Sequence, residues 1–391
     1  MTRCLVHLFS ASAFLSALAA LRTLHPGRDA RATLVLHLPS VPDETHRQLE
    51  SILREFAAGV PEIECVHALT STALSALCRP WSARQSACRL AASLGPAFDE
   101  IYFQHDTSGV FYQLAAAAYP FARRICIGDA FGMVYERRFI ESYFGGGAGR
   151  ARRLLRRARA MLRGSWEALE FPDYPPHLAA LVLPVDPSGK YLDSVPLRVC
   201  ERDAFQEAVG HCVAAVPELA RYSSTLLASH RARRRYLLLT EHYAEVGQLP
   251  LDKELDMYCA IIGIHCEPGS VVYVKRHPAE RLRKGEAIRV RLAGRFDIVL
   301  LDPRWMRYPI EIWKDIIREC TPICMAYPIL SLRYIYGVAT IQPMDEAFIE
   351  RWFEPRLRAW TRDGLKLYTE PAERLGAWDG RSVLWAPELP G

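Results

Sequence analysis

The strongest constraint on this chain is the alternation of short apolar runs rich in β-branched residues with longer segments of helical period. The first strand candidates are Cys4–Phe9, Thr33–Leu38, Ile63–His67, Glu100–Gln104 and Arg124–Ile127. Helices fit between them: Asp43–Phe56 opens on a capping residue and runs through RQLESILREF, and Val110–Ala118 is a second. Repetition of this pattern predicts parallel βαβ units with helices on both faces of a sheet. The 391 residues suffice for two such domains, and a composition of 50% hydrophobic and 24% charged residues excludes disorder as the main state.

The start, MTRCLVHLFSASAFLSALAALRTL, imitates a secretory signal, with one Arg before an apolar stretch. His7 and three Ser interrupt that stretch, and ATLVLHLPS follows, so strand, helix, strand is the expectation. No run reaches the ~18 apolar residues that span a bilayer. Eleven Cys without a CxxC pair predict buried reduced thiols, not a disulfide framework or a zinc site.

After Gly149 comes an Arg-rich helix, a Pro-rich break (FPDYPPH), a strand at Ala180–Pro184 and a helix at Asp203–Ala215. RYLLLT then opens a second α/β series. It holds a helix at Asp252–Ile262, strands at Val271–Lys275 and Asp297–Leu301, a helix at Pro309–Cys320 and a strand at Pro322–Tyr327. The expected domains are 1–230, including the basic helix 150–163, then 231–345, with 346–391 as a helical extension. Parallel-sheet domains bind ligands beyond the carboxyl ends of their strands, so the loops there are the places to search.

The net charge is +5, and of 49 Lys and Arg only six are Lys. Arg suits phosphate and carboxylate oxygens. Seven Arg lie between Arg150 and Arg163, bordering a stripe of Leu154, Leu155, Ala158, Met161 and Leu162. Such a helix can pack on its own domain, lie on an anionic membrane surface or line a groove for an acidic polysaccharide. No nucleic-acid-binding motif accompanies the charge.

Four loops carry candidate chemistry. Asp129 in GDAFG follows a buried strand and is either a base or a turn and helix cap. Lys275, Arg276, His277 and Pro278 end the strand SVVYV, where two cations and an imidazole favour an anion. Glu311 in YPIEIW stands in the first turn of a helix opened by Pro309, where it serves the helix dipole or reaches ribose hydroxyls. Ser331 after AYPIL caps a helix or offers its hydroxyl to a phosphate.

In order and approximate spacing, Asp129, His277-Pro278, Pro309-x-Glu311 and Ser331 resemble the motifs of bacterial sialyltransferases and polysialyltransferases. The resemblance runs from the first strand to about Ser331. Two departures stand out: Asp129 is not one of two adjacent acids before Gly, and Ser331 is followed by Leu332, not by a second hydroxyl. The resemblance implies an α/β GT-B fold, two Rossmann-like doubly wound parallel-sheet domains facing a central cleft, and a CMP-activated acidic sugar as donor. It implies Asp129 as general base, His277 hydrogen-bonding or protonating the departing phosphate, and Lys275 or Arg276 adding electrostatic support. Glu311 would hold the ribose and Ser331 the phosphate. No Asp-x-Asp pair exists in the chain, so a metal-independent inverting transfer with no cofactor is expected.

The expected acceptor is a glycan, in surface polysaccharide or lipid-linked glycan synthesis, and the location cytoplasmic or peripheral to the inner membrane. Transfer of another CMP-sugar such as Kdo, and a catalytically silent scaffold that binds anionic glycan, are the competing expectations.

Overall fold

A computed structural model describes residues 1–38, 41–79, 82–95, 97–104, 110–128, 159, 169, 171–172, 174–183, 194–325, 328–375 and 383–385. The chain divides into two compact units, one of Met1–Ala208 with Trp378–Gly391, the other of Val209–Ala377. The boundary expected at 230/231 thus falls earlier, and 346–391 is no separate extension.

The first unit opens with strand β1 (Thr2–Leu8), helix α1 (Ala11–Leu24), β2 (Ala30–Leu36), α2 (Asp43–Ala57) and β3 (Ile63–Ala68). It continues through α3 (Ser71–Leu77), α4 (Ala83–Leu94), β4 (Glu100–Gln104), α5 (Val110–Ala118), β5 (Arg123–Gly128), β6 (Leu178–Leu181) and β7 (Leu197–Val199). The sheet order is 3-2-1-4-5-6-7, with every pair parallel, and the late strand β12 (Val383–Trp385) adds antiparallel to β7. The first six positions follow the doubly wound dinucleotide-fold order.

The apolar opening is explained by burial on all sides. β1 is central in the sheet, and α1 buries ten of its fourteen residues, with Ser10 capping it by accepting from Ala13 N at 3.1 Å. α2 is amphipathic instead, burying His46, Leu49, Ile52, Leu53 and Phe56 along one face.

Helix α6 (Arg202–Ala215) carries the chain into the second unit, followed by α7 (Pro217–Ser229), β8 (Arg235–Leu239), α8 (Leu251–His265), β9 (Val271–Lys275), α9 (Lys284–Arg291) and β10 (Asp297–Leu300). After two 3-10 turns come α10 (Lys314–Glu319), β11 (Thr321–Ile323), α11 (Pro328–Tyr336), α12 (Glu346–Trp352) and α13 (Pro355–Leu375). The four strands are parallel in the order β10-β9-β8-β11, a 3-2-1-4 sheet, and the helices pack Met257, Tyr258, Ile262, Ile288 and Phe353 against Val272 and Val274.

The expected α/β class, with two doubly wound parallel sheets, is therefore present. Most strand expectations hold within two or three residues, and β9 spans the expected Val271–Lys275. The expected strand Pro322–Tyr327 is shorter, at Thr321–Ile323, because Pro328 already opens α11. The expected helix Pro309–Cys320 is broken: a 3-10 turn (Ile310–Ile312) precedes α10, and Trp313, at φ −86° and ψ 46°, separates them. The basic helix 150–163 lies outside the described residues apart from Arg159. Among the described residues no helix is long and apolar enough to cross a membrane. All eleven Cys are free thiols and eight are buried, whereas Cys65 and Cys88 are exposed.

Gly263 lies inside α8, where an added methyl meets no atom within 4 Å. Gly263→Ala is expected to stabilise the second unit by about 0.5–1 kcal/mol through lower unfolded-chain entropy, read as a higher urea midpoint at constant slope.

Candidate functional site

In the second unit the chain runs β8, β9, β10 outward and then returns to place β11 on the other flank of β8. This reversal makes the carboxyl end of β8 a topological switch point, the place where open α/β sheets bind ligands. Three loops supply the side chains there: Thr240–Glu245 after β8, Arg276–Glu280 after β9, and the segments bearing Glu311 and Ser331.

Glu311 and Ser331, twenty residues apart, meet directly. The Ser331 hydroxyl donates to Glu311 Oε1 at 2.7 Å, and both residues are buried. Ser331 is therefore not a helix cap: it stands inside α11 and holds a carboxylate. Glu311 sits in the 3-10 turn, where its backbone carbonyl accepts from the Tyr336 hydroxyl.

Lys275, at the end of β9, is buried as well. Its ammonium donates to the Met306 carbonyl at 3.0 Å and faces the Trp313 ring at 5.8 Å. Burial pushes its pKa down to about 8, against an upward pull from Glu311. Lys275 thus belongs to the Glu311–Ser331 cluster. Arg276 is also committed, donating through Nε to Glu280 Oε1 at 2.9 Å and through Nη2 to the Glu280 carbonyl. The support expected from two free cations beside His277 is corrected accordingly: both are held by protein acceptors.

His277 is fixed at backbone and ring. Its N–H donates to Thr240 Oγ1 at 3.2 Å, Thr240 Oγ1 donates to Glu280 Oε2 at 2.8 Å, and Ala279 N–H donates to His277 Nδ1 at 3.1 Å. Pro278 belongs to the same turn, which closes with Glu280 N–H donating to the His277 carbonyl. Burial, then His242, Lys275 and Lys284, push the imidazole down to about 3, with Glu245 opposing. The ring is neutral near pH 7. With Nδ1 accepting from Ala279, the proton sits on Nε2, and His277 is a hydrogen-bond donor there. Of the two roles expected for it, hydrogen bonding fits this state and proton delivery does not.

Two neighbours were not singled out from the sequence. The His242 ring stacks on His277 with centroids 4.1 Å apart and planes 15° apart, and Glu241 adjoins them. Burial raises the Glu241 carboxyl to about 8, with Lys284 opposing and Glu254 adding to the rise. Their only signal in the sequence is position, directly after RYLLLT.

Lys284, the first residue of α9, ties this loop down. Its ammonium, with no exposed side-chain surface, donates to the Glu241 carbonyl at 2.6 Å, Glu254 Oε1 at 2.7 Å and Glu245 Oε2 at 3.1 Å. Glu245 also accepts from the Arg281 and Leu282 N–H groups at 3.2 Å, so the loops after β8 and β9 are joined.

A coordinating atom from each of Glu241, His242 and His277 lies within 4.8 Å of the others. Near-parallel rings do not converge their lone pairs on one point, and His277 Nδ1 already accepts a backbone hydrogen, so this arrangement does not fit a metal centre. Cys4, His25 and Glu100 form a second group of this kind in the first unit. It is an internally satisfied network: the Tyr102 hydroxyl donates to Glu100 Oε2 at 2.6 Å, and His25 Nε2 lies 2.8 Å from the same oxygen. It also stands at the amino end of β4, away from the ligand-binding edge.

Asp129 lies outside the described residues. At the carboxyl edge of the first sheet, His7 and His37 flank Phe111 at ring distances of 4.6 and 6.0 Å, and His7 is pushed down to about 3, chiefly by burial.

Replacing Lys284 with Met would leave two carboxylates facing each other in a buried site, with an expected cost of about 3–5 kcal/mol in chemical denaturation. Adding Glu254→Gln should return part of that loss, as a positive coupling in the double-mutant cycle. Ser331→Ala removes a buried donor from Glu311 and should cost about 1–3 kcal/mol.

No family model matches the sequence, and no curated protein sequence matches it. Among solved structures, the chain is similar to the UDP-GlcNAc 2-epimerase of Neisseria meningitidis (10% identity, TM-score 0.49, covering 95% of this chain and 92% of that one). It is also similar to the ADP-heptose lps heptosyltransferase II of E. coli (11%, 0.37, 86% and 82%). A third is the GT-B domain of a sialyltransferase from Photobacterium damselae (8%, 0.42, 94% and 97%). At these values the likeness is one of chain path and has no bearing on activity.

Proposed function

We propose that this protein is a glycosyltransferase whose second unit binds a nucleotide-activated sugar, a CMP-activated acidic sugar in the first instance. The observation that carries this reading is that Ser331 bonds Glu311 and Glu311 acts on buried Lys275, two residues before His277, all at or beyond the carboxyl ends of the strands of one doubly wound sheet. The segments bearing these residues are the ones whose motifs resemble the sialyltransferases.

In this reading an acceptor hydroxyl attacks the anomeric carbon, the bond from that carbon to the phosphate oxygen breaks, and the electron pair leaves on the phosphate. His277 Nε2–H donates to that phosphate as its charge develops. Lys275 acts from behind, holding Glu311 and Ser331 in place through their shared buried cluster. Asp129 is the proposed base that takes the acceptor proton, which yields inversion at the anomeric carbon. The acceptor is a glycan or lipid-linked glycan, with the basic segment from Arg150 to Arg163 as the contact to an anionic membrane surface.

The test is a thermal-shift panel of cytidine, uridine and guanosine nucleotides. Selective stabilisation by CMP or CTP, about 2.7 kcal/mol at a hundredfold excess over Kd, is expected. Equal shifts, or none, would reject the donor assignment. In a transfer assay with CMP-sugars, His277→Ala should lower kcat by about 10²–10³-fold while the variant keeps its fold. Wild-type inactivity with every CMP-sugar would instead favour a glycan-binding scaffold.

A further inference from the structure

Where the loops after β8 and β9 meet, three polar side-chain tips have no hydrogen-bond partner among the described residues. Among the described residues neither carboxyl oxygen of Glu241 makes a hydrogen bond, whereas its N–H donates to the Tyr258 hydroxyl oxygen at 2.6 Å and its carbonyl accepts from Lys284. The His242 ring nitrogens and His277 Nε2 make none either, although one such atom from each residue lies within 4.8 Å of the others. All three residues are partly buried, and none of these atoms is fully enclosed, so each tip is unpaired and still reachable from solvent. The nearby cations are meanwhile engaged: Lys284 with Glu245 and Glu254, Arg276 with Glu280, and Lys275 with the Met306 carbonyl.

We propose that Glu241 is a phosphate-binding residue, its carboxyl group donating a hydrogen to a phosphate oxygen of the nucleotide bound at the end of β8, beside Nε2–H of His277. The assignment rests on the nucleotide-donor reading above and adds to it a residue that no motif marks.

Burial supports it by holding the carboxyl protonated to about pH 8. The groups facing Glu241 are Lys284 from α9, Glu254 and Tyr258 from α8, His242, Tyr243 and Glu245 from its own loop, and His277 from the loop after β9. Lys284 alone draws the carboxyl towards ionisation, and its charge is shared with two other carboxylates. An acid in this state accepts no cation and repels no anion. Once ionised, it stands as a like charge against the phosphate and the donated hydrogen is lost.

The experiment is calorimetric titration of wild type and Glu241→Gln with CMP, with cytidine and with inorganic phosphate, at pH 7.5 and 9.5. Gln keeps the shape and remains a donor at both values. Wild-type affinity for CMP should fall about tenfold or more between the two, as expected for a site that needs the protonated acid, while Glu241→Gln changes by less than about twofold. Cytidine, which lacks the phosphate, should show no difference between the proteins.

If wild type binds CMP and both proteins share one pH profile, the role of Glu241 is overturned and the donor reading stands. If CMP does not bind but inorganic phosphate does, with the pH loss abolished in Glu241→Gln, the phosphate site stands and the donor reading falls. Binding of neither ligand overturns both. Tight binding of Zn²⁺ that is lost in Glu241→Gln and His242→Ala would also overturn the assignment, because a metal needs the lone pairs this arrangement uses otherwise.

Discussion

A buried ammonium group governs the carboxyl end of the second sheet. Taking a Lys out of water costs several kcal/mol unless its hydrogens are all received, and Lys284 has three acceptors within 3.1 Å for its three N–H bonds. One acceptor is a backbone carbonyl, so the interaction sets the path of the main chain after β8 as well as its side chains. Glu254 brings in α8, and Glu245 brings in the loop after β9 through the Arg281 and Leu282 N–H groups. The stacking of His242 on His277 follows from that frame.

The same frame commits the cations that adjoin His277 in the sequence to protein acceptors. Lys275 and Arg276 adjoin His277 in the sequence, yet burial next to Glu311 and Glu280 turns both into structural cations. Three neutral groups face the switch point: an imidazole with its proton on Nε2, a second imidazole, and a carboxyl group that burial holds protonated to about pH 8, with the Arg307 guanidinium donating to the Pro278 carbonyl close by. Neutral donors in a partly desolvated place discriminate by geometry, and salt screens them less than it screens exposed cations.

Local pattern revealed much of this molecule. β9 and α5 were readable to the residue because each is a short apolar run with no competing period. Where local pattern and tertiary demand diverged, the reading went astray. Pro309–Cys320 has the period of one helix, but burying Trp313 under Lys275 while Glu311 meets Ser331 breaks it in two. β12 was illegible because its three residues become a strand only by pairing with β7, nearly two hundred positions earlier. At the site, His277, Glu311 and Ser331 stood out by motif, whereas Glu241 and His242 did not, since their significance is purely positional.

By itself the sequence determined the alternation of strands and helices, and through it two parallel sheets, because the periods of burial in β and α segments are local properties of the chain. Only the tertiary structure decided which charged residues stay charged and which are free. Proton occupancy and hydrogen-bond partners depend on desolvation and on groups 20 to 43 positions away, as between Ser331 and Glu311 or between Lys284 and Glu241.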